Sequence, residues 1–348
     1  MRIGDRDIGI DEPPFVIAEM SGNHNQSLER ALAIVEAAAR AGAHAIKLQT
    51  FTPDTMTLDL AEGEFYINDE GSLWKGSSLH ELYRQAQTPW EWHEPIMRRA
   101  RDLGLICFSS PFDETAVDFL CGLGVPAFKI ASFENTDLPL IRKAAATGKP
   151  LIISTGMATV GELDEAVRTA RAAGCTQMAL LKCTSTYPAT PENSNVATIP
   201  VMRAMFAGCE IGLSDHTMGV GVAAAAVAHG ATIVEKHFTL SRKDGGVDSA
   251  FSLEPDELRA LVTETERAWL SLGRPTFGAT SAEKKSLTFR RSLYVTADTR
   301  AGEILTEQNL RCIRPGLGLP PKYYDMLLGR RVGRDVKKGT PMGWDLLD

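Results

Sequence analysis

The chain has 348 residues with 37 Lys and Arg against 44 Asp and Glu, and the resulting net charge of −7 argues against a nucleic-acid surface. Its 44% hydrophobic and 23% charged residues are those of a globular enzyme or binding protein, and its length predicts one large domain plus a small one. The opening MRIGDRDIGIDEPP lacks the form of a signal peptide, no apolar run reaches membrane-spanning length, and Cys107, Cys121, Cys175, Cys183, Cys209 and Cys312 show no CxxC spacing, so a reduced, cytoplasmic protein is expected.

Residues 14–21 (PFVIAEMS) read as a buried strand, followed by an apolar-periodic helix from Ser27 to Ala41. AIKLQTF (45–51) is a second strand. A long polar and aromatic insertion runs from there to about Gln87, and loops of that length are usually functional or lid-like. A helix follows from Thr88, with TPWE predicting a cap. The pattern then repeats: strands ICFSSPF (106–112), AFKIASF (127–133), PLIISTG (150–156) and MALLKCTS (178–185), each followed by a helix. EIGLSDHT and ATIVEKHFT supply the last two strands, and a helix from about Pro255 to Leu270 closes the set. Eight such units, with strands too apolar to be one-faced, predict a closed (β/α)8 TIM barrel over 1–273. GRPTFGATSAEKKS has linker composition (274–286), and the short alternating strands with Gly and Pro turns over 287–348 predict a small, mostly β domain.

The chemistry of such a barrel collects at the carboxyl ends of its strands. His216 and His237 end successive strands, which a right-handed crossover makes neighbours, so the two imidazoles form a candidate divalent-metal pair. The other ends carry Glu19, Ser21, Asn23 and His24; Lys47 and Gln49; Ser109 and Ser110; Lys129, Ser132 and Glu134; Ser154 and Thr155; Lys182, Ser185 and Tyr187; Ser214 and Asp215. Lysines inside apolar strands need partners. Lys47 and Lys129 with hydroxyls at Ser110, Ser132 and Ser154 point to an anion such as phosphate plus carboxylate. Beside a carbonyl-polarising metal, that site suits joining of a phosphorylated carbon nucleophile to an aldehyde. His44, His80, His93 and His229 read as partnerless structural or surface residues. Trp90, Trp92 and Trp269 read as helix packing, while Trp74 could line the site or hold the insertion down.

IAEMSGNHNQSL, KLQTF, SSPFD, KIASFEN, ISTGM, YP after the sixth strand, GLSDHT and EKHFT, in that order, resemble the sialic acid synthase family. The first strand and LWKGSSLHELYRQAQTPWEWH resemble its pseudaminic acid synthase branch, and RRSLYV, GEILTEQNL and RPGLG resemble an antifreeze-like (SAF) domain. The resemblance implies condensation of phosphoenolpyruvate (PEP) with an open-chain N-acetylated amino sugar. In the pseudaminic branch the sugar is 2,4-diacetamido-2,4,6-trideoxy-L-altrose; the neuraminate and legionaminate branches are the alternatives. The product is a nine-carbon 2-keto acid for bacterial surface glycan, with release of phosphate. It also implies a divalent metal, Mn2+ first and Mg2+ or Co2+ next, on His216 and His237. PEP contacts carry over to Lys47, Ser110, Lys129, Ser132, Ser154, Ser185 and Ser214. Sugar contacts carry over to Glu19, Gln49, Glu134, Tyr187, Asp248 and Arg314. Glu19, Glu134 and Lys129 are the implied catalytic groups, with base and acid unassigned between the two carboxylates. The resemblance further implies a domain-swapped homodimer, with Arg314 of RPGLG matching the arginine that the family's antifreeze-like domain contributes across it. Two competing readings are a Schiff-base aldolase using Lys129 or Lys182, and a non-catalytic sugar-binding protein.

Overall fold

The structure, a computed structural model, describes all residues from 1 to 348, in two compact units: Met1–Gly273 and Arg274–Asp348. The first is an eight-stranded parallel barrel ringed by helices, as the alternating pattern predicts. A short hairpin, β1 (Arg2–Ile3) with β2 (Arg6–Asp7), precedes it. The units that follow are β3 (Phe15–Glu19) and α1 (Leu28–Ala41), then β4 (Ala45–Thr50) with α2 (Pro53–Met56), α3 (Leu79–Ala86) and α4 (His93–Asp102). Next come β5 (Ile106–Pro111) and α5 (Glu114–Gly122), β6 (Phe128–Ile130) and α6 (Leu138–Ala145), and β7 (Leu151–Ser154) and α7 (Val160–Ala172). The last three are β8 (Met178–Cys183) and α8 (Thr198–Met205), β9 (Cys209–Asp215) and α9 (Gly221–Ala228), and β10 (Ile233–His237) and α10 (Pro255–Leu272). The barrel closes in the order β10-β3-β4-β5-β6-β7-β8-β9.

Local signals start the helices. Ser27, Asp113, Asp137 and Thr159 each accept a backbone N–H from the first turn, and Thr159 with Glu162 forms a reciprocal capping box. Thr88 is an exception. It caps nothing, and its hydroxyl instead lies 3.3 Å from His24 Nε2, so the chain enters α4 through a 3-10 turn at Trp90–Trp92. His44, His80 and His93 also have partners the sequence did not show: the Val16 N–H, Asp54 and Thr50. No helix is long and apolar enough to cross a membrane.

Two cores sit on the two sides of the strands, as a sheet buried on both faces requires. The larger lies between strands and helices; the smaller fills the barrel with Phe15, Ile17, Phe108, Ile152, Leu181 and Ile233, joined by Ile3 and Ile8 of the hairpin segment. Gly212 lets β9 approach its neighbours, since a Cβ there would lie 2.6 Å from Leu181 Cδ2. Where β9 and β10 end, Lys236 is almost wholly buried and donates to Asp215 Oδ2 at 2.8 Å, Thr217 O at 2.6 Å and Gly219 O at 2.9 Å. Asp215 Oδ1 accepts from the Thr217 N–H and hydroxyl. This knot fixes the turn that follows His216.

The second unit has fewer strands than its alternating pattern predicts. β11 (Ser292–Val295) pairs with β12 (Leu310–Ile313), and short α11 (Tyr324–Leu327) follows. Isolated bridges and turns wrap a core that includes Leu293, Val295, Leu305, Leu310 and Val332.

Candidate active site

The carboxyl ends of the barrel strands open into a cavity of about 480 Å³, within the usual range for small-molecule sites. Lys47 and Lys129 both reach it and both are buried. Lys47 Nζ lies 2.7 Å from Glu19 Oε2 and donates to Ser110 Oγ at 3.1 Å. Lys129 Nζ donates to Glu235 Oε1 at 3.1 Å, and that oxygen is 3.6 Å from Lys47 Nζ. Each ammonium is therefore paired, as its burial requires. Burial opposes the Lys47 charge, yet the Glu19 and Glu235 carboxylates raise its pKa; at Lys129 burial prevails and the pKa is lowered. Glu235 escaped the sequence reading. It precedes His237 by two residues on one strand, so period-two alternation puts both on the barrel interior.

Of the hydroxyls expected to bind an anion, all but one reach the cavity. Ser132, Ser154, Ser185 and Ser214 line the cavity, whereas Ser110 does not line it and serves Lys47. The Gly156 N–H donates to Ser132 Oγ at 3.2 Å, and a Cβ on Gly156 would collide with the hydroxyls of Ser185 and Ser132. Asn135 holds this loop by donating to Ser154 O and Gly156 O.

His216 and His237 lie side by side, ring centroids 5.3 Å apart, on the cavity wall. His216 Nδ1 is 3.0 Å from Thr184 O, which can only accept, so Nδ1 carries a proton. Burial opposes the His216 charge, but the Cys183 thiol, the Thr184 carbonyl and Glu235 raise its pKa, and Nε2 is the nitrogen left for a ligand when the ring is neutral. His237 Nδ1 is buried without a hydrogen-bond partner, 3.9 Å from Asp248 Oδ2. Burial, then His216 and the neighbouring lysines, hold its pKa well below the ordinary value, so the ring is neutral. No group of three His, Cys, Asp or Glu side chains gathers to hold a metal ion. A divalent ion held here would have the two imidazoles as its protein ligands and would take its other ligands from water and substrate oxygens, a donor set that suits a hard or borderline cation.

The carboxylates differ. Glu19 is engaged at both oxygens, by Lys47 and by Gln49 Nε2 at 2.9 Å, although burial pushes its pKa upward. Burial pushes the Glu134 carboxyl up to about 7, and its Oε2 has no partner. Tyr187, whose phenol burial also pushes up, lies 4.6 Å from the His216 ring centroid. Asp248 reaches the cavity and accepts from the Ser21 hydroxyl. Buried polar atoms without protein partners thus collect here: Glu134 Oε2, Ser154 Oγ, Glu235 Oε2 and His237 Nδ1 all belong to cavity-lining residues.

Several strand-end residues lie elsewhere. Ser109 bonds Thr50, Asn23 Nδ2 donates to Phe238 O, and Asp215 is taken by Lys236. Lys182 donates to Cys183 O and Thr184 Oγ1 and does not line the cavity, which removes it as the aldolase nucleophile. His24 packs against Trp92 and Thr88, and Thr155 is buried off the cavity. Arg314 belongs to the second unit, where it is exposed. Trp74 does both things expected of it, lining the cavity and donating from Nε1 to Val247 O at 2.9 Å.

Comparison with known proteins agrees with this geometry. Residues 34–276 match the NeuB family and residues 290–348 the SAF domain. The chain is 42% identical over 342 residues to a pseudaminic acid synthase of Campylobacter jejuni, covering 98% of both chains. It is 42% identical over 336 residues to a pseudaminic acid synthase of Helicobacter pylori, covering 96% of this chain and 98% of that one. Among solved structures, the N-acetylneuraminic acid synthetase of Leptospira borgpetersenii superposes with a TM-score of 0.74 at 31% identity, over 82% of this chain and 94% of that one.

Proposed function

This chain belongs to the NeuB family, and we propose that it is a transferase condensing PEP with 2,4-diacetamido-2,4,6-trideoxy-L-altrose to give a nine-carbon 2-keto sugar acid and phosphate. The observation that carries the sugar assignment is 42% identity to pseudaminic acid synthases along nearly the whole chain. N-acetylneuraminate or legionaminate synthesis is the alternative within the same chemistry.

Lys47 and Lys129, with Ser132, Ser154, Ser185 and Ser214, bind the phosphate and carboxylate of PEP. The two ammonium groups are positioned in advance by Glu19 and Glu235, so little reorganisation of the lysines accompanies charge development. His216 and His237 would hold the divalent metal, Mn2+ in the first instance, which polarises the sugar aldehyde as a Lewis acid. C3 of the enol phosphate attacks the aldehyde carbon, water adds at C2, and the C2–O bond to phosphate breaks. Glu134, with a carboxyl near neutrality and a free Oε2, exchanges a proton with the water that adds at C2. Glu19, tied to Lys47 and Gln49, orients the sugar. A cytoplasmic setting is supported by six unpaired cysteines. Assembly as a homodimer that uses Arg314 belongs to the same proposal, and sedimentation of the wild type beside an Arg314→Ala activity assay tests it.

The decisive assay is phosphate release from PEP with Mn2+, offering the trideoxy altrose and N-acetylmannosamine separately. Release with the altrose alone supports the assignment. Release with the mannosamine alone moves the enzyme to the neuraminate branch. Release only with the 4-acetamido 6-deoxy relative of N-acetylmannosamine, offered next, moves it to the legionaminate branch, and no release with any of the three refutes the synthase reading.

A further inference from the structure

The cavity has two unlike sides. Lysines, serines, carboxylates and the two histidines make its floor, and the segment between β4 and α4 makes a mainly apolar wall, broken by Asp69, Ser72 and the Tyr83 phenol. In α3 the residues Leu79, Leu82, Tyr83 and Ala86 fall at i, i+3, i+4 and i+7, one stripe of the helix. All four line the cavity, while His80, Glu81, Arg84 and Gln85 bond polar groups or face solvent on the remaining surface. An amphipathic helix normally covers its stripe with protein; here Leu79 and Leu82 are only half-buried and the cavity is what they face. Met56, Ile67 and Phe112, also half-buried, extend the same surface, and Phe51 backs it through edge contacts with Tyr83 and Phe112 at 5.8 and 5.3 Å.

Strand order places this wall relative to the reacting atoms. β5 lies four strands from β9 in the eight-stranded barrel, so Phe112, next after β5, stands across the mouth from His216, next after β9. An open-chain sugar with its aldehyde at the histidines keeps its first substituents among Tyr187, Gln49 and Asp248 and directs its far end to the apolar side. We propose that Leu79, Leu82, Met56, Ile67 and Phe112 form a methyl-recognising wall that selects amino sugars ending in a methyl group over those ending in hydroxymethyl. A terminal hydroxyl placed against these five side chains loses water to groups that neither donate nor accept; Asp69, Ser72 and the Tyr83 phenol, which line the cavity from the same segment, are the polar groups it would have to reach instead. Such a wall discriminates against an added hydroxyl by up to about 100-fold. This assignment rests on the synthase reading and names the part of the site that sets its sugar preference.

The test measures phosphate release from PEP with 2,4-diacetamido-2,4,6-trideoxy-L-altrose and with its 6-hydroxy counterpart. The expected kcat/KM ratio in the wild type favours the methyl sugar by about 10- to 100-fold. Leu82→Asn is expected to move that ratio toward one by raising KM for the methyl sugar, as loss of uniform binding does, whereas Leu82→Met retains it. Met56→Gln, on a separate short helix, gives a second route if Leu82→Asn does not fold. Equal kcat/KM for the two sugars in the wild type overturns the wall while leaving the synthase reading intact. An unchanged ratio in both folded polar variants also overturns it. No phosphate release with either sugar overturns the altrose assignment, and the wall with it.

Discussion

Replacing Asp215 by Ala removes the only carboxylate bonded to the Lys236 ammonium, a group 1% exposed. Two carbonyl oxygens, of Thr217 and Gly219, remain as its acceptors. They satisfy hydrogen bonds but leave the positive charge uncompensated. Removing one member of a buried pair typically costs about 3–5 kcal/mol. That is a large fraction of the roughly 5–15 kcal/mol by which a domain is stable. For a unit of this size each kcal/mol lowers Tm by about 2–4 °C, so Asp215→Ala should melt roughly 6–20 °C below the wild type by circular dichroism or calorimetry. Asp215→Leu combined with Lys236→Met removes both charges, and most of the lost stability should return. A drop of less than about 2 °C for Asp215→Ala would refute the reasoning, because the pair would then be worth no more than a surface ion pair. So would a double variant no more stable than Asp215→Ala alone.

His237→Ala should leave the far-UV spectrum intact while abolishing phosphate release and weakening Mn2+ binding by calorimetry at least tenfold, on the order of one lost ligand; wild-type affinity and turnover would remove the two-histidine assignment. Gly156→Ala places a methyl group against Ser132 and Ser185, and a displacement of about 1 Å there should lower kcat/KM for PEP roughly 100-fold with the fold preserved; unchanged PEP kinetics would show that these hydroxyls do not touch the anion. Glu134 has a folded pKa near 7, above its ordinary 4.5, so the folded chain binds the extra proton between those values. Its stabilising share is fully present below about pH 4.5 and is lost as pH rises through 7. In urea titrations Glu134→Gln should therefore gain stability relative to wild type on going from pH 4.5 to 7.5, and a constant difference would contradict the raised pKa.

The barrel could be read from the sequence because each strand is apolar on both faces and each helix carries its own start signal, as at Ser27, Asp113, Asp137 and Thr159. The histidine pair followed from topology alone: successive strand ends must be neighbours. Position at a strand end does not by itself separate the inward residues Ser214 and His216 from the outward Asp215; period-two alternation does, and the two-residue spacing in IVEKHF likewise puts Glu235 on the face of His237. Thr88 failed as a cap because its hydroxyl is spent on His24, a tertiary contact no local pattern encodes. The second unit disappointed its strand pattern because its hydrogen bonds run mainly through single bridges and turns, which leave little periodic trace.

The insertion between β4 and α4 is tied to the loop after β10, two strands along the ring, by a hydrogen bond from Trp74 to Val247 O, and returns to the ring beside the strand it left. Reactivity and selectivity are thereby written in separate parts of the gene. The groups proposed to act on PEP and the aldehyde come from seven dispersed strand ends, each constrained by the barrel, whereas the wall proposed to meet the sugar's far end is largely one contiguous stretch of about 35 codons. A lineage could exchange that stretch in a single recombination and acquire a new sugar without disturbing the lysines or the histidines. For an engineer, a segment swap between relatives is a shorter route to altered preference than point changes scattered around the barrel.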